Sequence, residues 1–504
     1  MCGFITVFSE NNNRRFIKAL REATKITKHR GPDKTSYLYD ENYLFSFNRL
    51  SIQDTSNDAN QPMFSENKRY VIVFNGEVYN FKKLRQILIH KGIKFKSTGD
   101  TEVLINLFQI YKEKVLNMIE GIFSFVIFDK INKEIFVARD EFGVKPVYFF
   151  KKNNLIIIAS ELKAFLPFAK LGLIDWSFSE KHIKEQLIFR TLSGNQTLIK
   201  QIKKILPGHY LKANTNKFNI VKYFNPNTFS RSNNLKKEYS IEYIEYLLSK
   251  SIKDQLVSDV KKGIALSGGL DSSLLVALSS KFDLKNINTY SVFFKEKTYN
   301  NKIIDESKFI NYIVQKYKTN HHKILLDEKK FTQLFPKCVW FNDEPLNFPH
   351  SIGIFLLAKL ASENNCKVLL GGEGSDEFFA GYSFFNEINL NKFKYKFSDP
   401  KVVNKLLICK SHNKFTREKF LLTKFNSINK QIYFASQTYL QSIENRLDKM
   451  SMANSVEFRV PFINKTLYQA SLNLDNSFKI NNGETKFILK KIAESHFNKK
   501  HIYR

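Results

Sequence analysis

The spacing of apolar and polar positions changes character along this chain and divides it into stretches. Gly3-Phe4-Ile5-Thr6-Val7-Phe8 is a strand-like apolar run, and Tyr70 to Phe74 is a second strand that ends on Asn75-Gly76-Glu77-Val78-Tyr79-Asn80. From Phe81 to Gly92 the apolar residues Leu84, Ile87 and Leu88 recur at helical spacing, and Gly92 marks the stop. Four β-rich runs follow, at Gly121 to Asp129, Glu134 to Arg139, Val144 to Phe150 and Leu155 to Ala159. Strands, then helices, then strands predict a layered α/β sandwich. Pro207-Gly208-His209-Tyr210 closes it, and the stretch from 213 to 238, rich in Asn, Ser and Lys, reads as a linker. Beyond lie an amphipathic helix from Ile241 to Val257, a strand from Lys262 to Leu266 and a Ser267-Gly268-Gly269 turn. A helix then runs from near Asp271 through Leu274, Leu275 and Leu278. Asn288 to Phe293 is the next strand and Ile303 to Lys318 the next helix, an alternation that predicts a parallel, doubly wound sheet with ligands at the strands' carboxyl ends. The expected division is therefore 2–212, a linker 213–238, and 239–504.

Composition narrows this picture. A chain of 504 residues is too long for one core. No apolar run approaches a membrane span, and no signal peptide precedes the first strand. Cys2, Cys338, Cys366 and Cys409 form no Cys-x-x-Cys pair and no metal-like spacing, which fits a reducing cytoplasm. The net charge of +31, from 79 Lys and Arg against 48 Asp and Glu, points on its face to nucleic acid. The basic residues are scattered, however, and no nucleic-acid-binding signature accompanies them. The charge reads as a compositional drift that aids solubility and attracts anionic substrates.

Candidate chemistry in the first half begins at Cys2. Once Met1 is removed, Cys2 carries a thiol and an α-amine of reference pKa near ~8, which can act as the nucleophile's own base. A free amino acid needs a carboxylate for its ammonium and an arginine for its carboxylate, and Asp100 and Arg49 are available. Asn75 and the amide of Gly76 can supply oxyanion donors. Each has a plainer reading alone: Arg49 in a surface ion pair, Asn75-Gly76 as an ordinary turn, Asp100 as a helix cap.

In the second half, the Ser267-Gly268-Gly269-Leu270-Asp271-Ser272-Ser273 turn precedes a helix whose first amides and dipole favour phosphate. It is not a Walker A loop, and alone it also reads as a capped strand-turn-helix. Gly371-Gly372-Glu373-Gly374-Ser375-Asp376-Glu377 is a glycine-rich turn after the strand Val368 to Leu370 and bears three carboxylates. Carboxylates beside phosphates usually hold magnesium, so Asp271 and Asp376 are the metal candidates, while Glu373 is placed to contact the activated acid or ammonia.

These segments, in this order, resemble two known families. Cys2, Arg49, Asn75-Gly76 and Asp100, with Arg139-Asp140-Glu141-Phe142-Gly143 and Ala159-Ser160-Glu161-Leu162-Lys163 as framework, are similar to the glutamine amidotransferase domain of the N-terminal nucleophile hydrolases. The Ser-Gly-Gly-x-Asp-Ser-Ser loop resembles that of the N-type ATP pyrophosphatases. Together the halves resemble glutamine-dependent asparagine synthetases over essentially the whole chain. The resemblance implies an αββα sandwich followed by a doubly wound parallel sheet with added helices. Its glutamine-binding set would be Arg49, Leu50, Ser51, Ile52, Gln53, Asn75, Gly76, Glu77 and Asp100. Its ATP-binding set would be Leu266, Ser267, Gly268, Gly269, Leu270, Asp271, Ser272, Ser273, Val292, Gly371 and Gly372. Lys486 would stabilise the phosphates during adenylation, Mg2+ would accompany ATP, and ammonia would pass between domains. Glutamine, aspartate and ATP are the implied partners, with no nucleic acid and no membrane. A cytoplasmic location is expected, and a homodimer is allowed.

Three departures leave alternatives open. The family commonly has serine where Gly371 stands, so a side-chain contact to the nucleotide is expected to be lost. The family continues beyond Tyr503-Arg504, and a shortened C-terminus is expected to open the site or weaken folding. Asn342-Asp343-Glu344-Pro345-Leu346-Asn347-Phe348-Pro349 lacks the arginine found there in some aspartate-specific members. A sugar-acid amidotransferase and a truncated homologue that only binds ligand therefore stand beside the aspartate reading.

Overall fold

The structure is a computed structural model that describes residues 2–9, 13–192, 194–214, 216–225, 240–282, 287–294, 298–299, 302–303, 305–346, 348–386 and 427–503. These fall into two compact units, residues 2–225 and 240–503.

Twelve strands build the first unit: β1 (Gly3–Phe8), β2 (Lys34–Tyr39), β3 (Tyr43–Arg49), β4 (Met63–Phe64), β5 (Tyr70–Val78), β6 (Gly121–Asp129), β7 (Glu134–Arg139), β8 (Tyr148–Lys152), β9 (Leu155–Ala159), β10 (Ile202–Lys204), β11 (His209–Ala213) and β12 (Phe218–Lys222). They form two antiparallel six-stranded sheets, ordered β10-β8-β9-β1-β3-β2 and β12-β11-β7-β6-β5-β4. Alternation along a strand sends successive side chains to opposite faces. Phe4 and Phe8 of β1 therefore join Phe45, Phe47, Val71, Val73, Val126 and Phe128 in the core between the sheets. Ile5 and Val7 face the other way, onto Leu20 and Ala23 of helix α1 (Ile17–Ile26). Burying each of these large side chains contributes about 1.5–3 kcal/mol, so β1 is held from both faces. Helices α2 (Phe81–His90) and α3 (Asp100–Tyr111) cover the second sheet, Phe108 meeting Tyr70 and Phe136 with ring centroids 5.5 and 4.9 Å apart. The layering is αββα, as the sequence predicts.

Local differences have local causes. The run expected as a strand from Val144 becomes one only at Tyr148, because the carboxylate of Asp140 binds the amides of Val144 (2.8 Å) and Lys145 (3.0 Å) and holds a turn there. The expected linker also starts late. Phe218–Lys222 pairs with β11, and Phe218 packs its ring against Phe149 at 5.7 Å, so the first unit runs to Asn225.

The second unit is built on five parallel strands, β13 (Lys262–Ala265), β14 (Asn288–Phe294), β15 (Asn320–Leu326), β16 (Val368–Leu370) and β17 (Glu457–Arg459), ordered β15-β14-β13-β16-β17. From β13 the chain builds outward first through β14 and β15, then on the other side through β16 and β17. The reversal lies between β13 and β16, the place where ligands bind in open α/β sheets. One helical group, α4 (Ser240–Gln255), α5 (Leu270–Ser279) and α6 (Ser307–Tyr317), packs in sequence. A second group comprises Glu328–Asn342, Ser351–Glu363 and α7 (Tyr439–Met452), with a core at Cys338, Ile352, Phe355, Leu356 and Met450. Helix α6 begins at Ser307 rather than Ile303, because Lys302–Ile303 pairs with Thr298–Tyr299 in a two-stranded ribbon. Arg459, fully buried, donates to Glu457 Oε1 (2.5 Å) and to the carbonyls of Gln255 and Val257 (2.6 Å each), which ties β17 to the end of α4. Among the described residues no helix is long and apolar enough to cross a membrane.

Candidate active sites in the two units

In the first unit, β1 begins beside the end of β5, which brings Cys2 to Asn75. The backbone N–H of Cys2 donates to Asn75 Oδ1 at 3.0 Å, and Cys2 Sγ lies 3.8 Å from the carbonyl of Leu50. Asn75 Nδ2 is buried with no hydrogen-bond partner among the described residues. An orphaned amide donor beside a thiol is costly unless something arrives to accept from it, and a developing oxyanion would do so. Gly76 has φ of +151°, and a Cβ there would stand 2.0 Å from the carbonyl oxygen of Ile122. Only glycine lets β5 approach β6 so closely at this point.

Cys2, Arg49, Leu50, Ile52, Gln53, Gly76, Glu77 and Asp100 line one narrow pocket, joined by Ala59, Gln61, Phe74 and Thr101. Ser51 lies outside this lining and donates its amide to Asp33 Oδ2 at 2.8 Å. Asp100 starts α3, yet its carboxylate reaches back to accept from the amide of Val78 at 2.8 Å. Arg49 bonds to the loop beside it, donating from Nη1 to the carbonyl of Ser56 (2.6 Å) and Asn60 Oδ1 (2.8 Å), and from Nη2 to the carbonyl of Asp54. It thus braces the pocket wall that carries it.

Behind the thiol is a buried charge cluster. Arg30 Nε donates to the carbonyl of Cys2 at 3.1 Å, and Arg30 Nη1 to Glu161 Oε1 at 3.0 Å. Glu161 also accepts from Lys163 Nζ at 2.6 Å and pairs with His29 Nε2 at 3.0 Å. Burial pushes the Glu161 carboxyl upward, but His29, Lys163 and Arg30 outweigh it and hold its pKa well below the ordinary range. Through Arg30, Glu161 braces the backbone of Cys2.

In the second unit a cleft of about 390 Å³ opens at the β13/β16 switch point. Leu266, Ser267, Gly269, Asp271, Ser272, Val292, Gly372, Glu373 and Asp376 line it, so both sequence-predicted loops converge there. Gly268, Leu270, Ser273 and Gly371 lie outside the lining. Gly371 has its own reason: a Cβ there would meet Glu373 Oε2 at 2.2 Å, so the carboxylate stands where a serine side chain would begin. Lys486 precedes helix α8 (Phe487–Ala493) with φ of 52°, an uncommon conformation for a non-glycine residue. Its ammonium donates to Asp271 Oδ2 at 2.6 Å and meets Asp376 Oδ1 at 2.7 Å. Burial lowers the Lys486 pKa, but Asp271 and Asp376 outweigh it and the net direction is up.

The sequence reading did not single out Arg446. It comes from α7, lines the cleft, and keeps Nε and Nη1 buried with no hydrogen-bond partner among the described residues. Its guanidinium carbon lies 4.5 Å from the Phe348 ring centroid. Burial brings its pKa down to about 10 against the pull of Glu373. Glu377 and Tyr382 also line the cleft, and the Tyr382 hydroxyl donates to Glu377 Oε1. Burial raises the Glu373, Asp376 and Glu377 carboxyls, Glu377 to about 7. The available signal for Arg446 was helical spacing: Ile443 and Leu447, three back and one on, line the same cleft.

Asp271 Oδ1 is buried with no hydrogen-bond partner among the described residues. Two carboxylates sharing one cation, one with a free oxygen, match the ligand set a magnesium ion takes beside substrate phosphates.

Comparisons with known proteins agree across both units. A glutamine amidotransferase domain model matches residues 1–224, and an asparagine synthase model matches residues 243–504. Asparagine synthetase (glutamine-hydrolyzing) 1 of Bacillus subtilis (strain 168) is 29% identical, over 98% of this chain and 84% of that protein. Asparagine synthetase (glutamine-hydrolyzing) 3 of the same organism is 28% identical, over 95% of this chain and 82% of its own length. The protein called amidase chry2 of Gibberella zeae is 27% identical, over 75% and 57%. With one model covering the second half and the other the first, the chain belongs to the asparagine synthase family.

Proposed function

We propose that the protein is a glutamine-dependent asparagine synthetase, an ATP-consuming carbon–nitrogen ligase. The observation that carries the reading is the cleft at the β13/β16 switch point, where a lysine-bridged pair of carboxylates accompanies a buried guanidinium whose Nε and Nη1 have no hydrogen-bond partner among the described residues. That is the set needed to seat a nucleotide triphosphate and a carboxylic acid together.

In the first unit, Cys2 with Met1 removed transfers its thiol proton to its own α-amine, and the thiolate attacks the side-chain amide carbon of glutamine. Asp100 and Arg49 position the amino acid, and Asn75 Nδ2 and the amide of Gly76 receive the oxyanion. The α-ammonium returns its proton to the amide nitrogen, ammonia leaves, and water cleaves the thioester to glutamate. In the second unit, a carboxylate oxygen of aspartate attacks the α-phosphate of ATP and pyrophosphate leaves. The amides and hydroxyls of the Ser267–Ser272 turn hold the phosphates, and Lys486 offsets the charge that develops on them. Arg446 holds the carboxylate of aspartate that does not react, and Glu373 faces the acyl carbon. Ammonia then attacks that carbon and AMP leaves. Mg2+, held by Asp271 and Asp376, would neutralise phosphate charge. The arginine missing from the 342–349 segment is supplied from α7, which favours aspartate over a sugar acid.

The partners in this reading are small molecules and the setting is cytoplasmic. Cys338 and Cys366, buried and in no disulfide among the described residues, support a reducing compartment. The test is incubation with ATP, Mg2+, glutamine and either aspartate or a uronic acid. Asparagine and AMP from aspartate alone are expected, and amidation of the sugar acid alone would overturn the acceptor assignment.

A further inference from the structure

Within the phosphate loop, Ser267 Oγ lies 3.0 Å from Ser272 Oγ. Ser273, the last residue of the same turn, points away. It is fully buried, and its hydroxyl lies 2.9 Å from Nε2 of His501, itself only 2% exposed. His501 belongs to the short helix Lys499–Ile502, far along the chain from the loop. Its ring packs among Phe309, Tyr312 and Phe497, with centroids 5.6, 5.2 and 5.1 Å away. Asn498 fixes it further, accepting from the amide of His501 at 3.0 Å while its own amide donates to the Tyr312 hydroxyl at 3.3 Å.

We infer that His501 is a positioning residue for the phosphate loop, setting the register of α5 through Ser273 so that the helix's first amides meet the phosphates of the nucleotide. The ring is held by aromatic neighbours, and the ring in turn holds the hydroxyl. Ser273 N–H also closes the first turn of α5, donating to the carbonyl of Gly269 at 3.0 Å. A shift of Ser273 therefore moves the amides beside it. Displacement of a positioned group by about 1 Å is enough to cost a large factor in rate. The role rests on the reading that the cleft takes ATP.

The test uses the full chain and reads the ATP dissociation constant by calorimetry, together with ammonium-dependent pyrophosphate release. His501→Phe keeps the aromatic packing and removes the bond, His501→Gln keeps a donor and acceptor, and Ser273→Ala removes the other partner. His501→Phe is expected to weaken ATP binding about fivefold, the effect of one buried hydrogen bond, while glutamine hydrolysis stays at the wild-type rate. His501→Gln should recover most of that loss, and the double variant should be no worse than His501→Phe alone. Equal ATP binding by wild type and His501→Phe, or additive losses in the double variant, would overturn the inference. If His501→Phe does not fold, Ser273→Ala against wild type decides it by the same measurement. A wild type that binds no ATP overturns the reading of the cleft and this inference with it, whereas a wild type that binds ATP leaves the two separable.

Discussion

The ammonium of Lys486 lies 2.6 Å from Asp271 Oδ2, so a lysine at the start of α8 answers a carboxylate from the first turn of α5, with Asp376 of the neighbouring loop 2.7 Å away on its other side. One cation joins the loops that follow two adjacent strands. Replacing it with an apolar chain of similar length leaves two close carboxylates without a counter-ion. Lys486→Met is expected to lower ATP-dependent pyrophosphate release about 100-fold or more, as loss of an electrophilic stabiliser does. Glutamine hydrolysis should be unchanged. The same variant should bind Mn2+ more tightly than wild type without nucleotide, read by electron paramagnetic resonance.

Asn75 Nδ2 has no partner at rest among the described residues, and in the proposed reaction it gains one. Asn75→Ala should therefore lower kcat for glutamine hydrolysis by about 100- to 1,000-fold with a smaller change in KM. Ammonium-dependent asparagine formation should persist. A change confined to KM would count against an oxyanion role.

Arg446 is assigned to the acceptor rather than to the nucleotide. Arg446→Met should raise the KM for aspartate roughly thirtyfold or more, since a buried charge loses its partner, while the KM for ATP moves much less. Steady-state kinetics with each substrate varied in turn decides between these. A change in the ATP term alone would reassign the residue.

Glu161 anchors Arg30 and Lys163 in a buried cluster beside His29, and removing its charge leaves the two cations unanswered. Glu161→Gln is expected to destabilise the protein by about 3 kcal/mol near neutral pH, the typical effect of breaking a buried pair. Because the folded pKa is depressed, this contribution is fully present above the ordinary carboxylate value of about 4.3 and is lost as pH falls toward the folded value. Denaturant unfolding of wild type and variant should thus converge only in strongly acidic solution. A gap that stays constant down to low pH would contradict the cluster's electrostatic role.

Much of this was legible from residue order, for a physical reason. Phosphate and oxyanion sites are made from short contiguous turns, so the candidates Ser267 to Ser272, Gly372 to Asp376 and Asn75-Gly76 stand out by local spacing. Two strand ends with glycine-rich turns also announce a parallel sheet's ligand face. What stayed hidden depends on distant pairing. Ser273 belongs to the turn by sequence yet faces His501, which no local pattern predicts. Arg446 reaches the cleft because α7 packs there, and an arginine on a helix face usually signals solvent. The Phe218–Lys222 strand lay within a polar stretch because it is an edge strand, exposed along most of its length.

The most direct test of the two-site account is transfer of 15N from amide-labelled glutamine into asparagine by wild type and Cys2→Ala, with free ammonium as the competing donor. The account predicts labelled asparagine from wild type, none from Cys2→Ala with glutamine, and undiminished asparagine from Cys2→Ala with ammonium. Labelled asparagine from Cys2→Ala, or loss of the ammonium-dependent product in that variant, would contradict it.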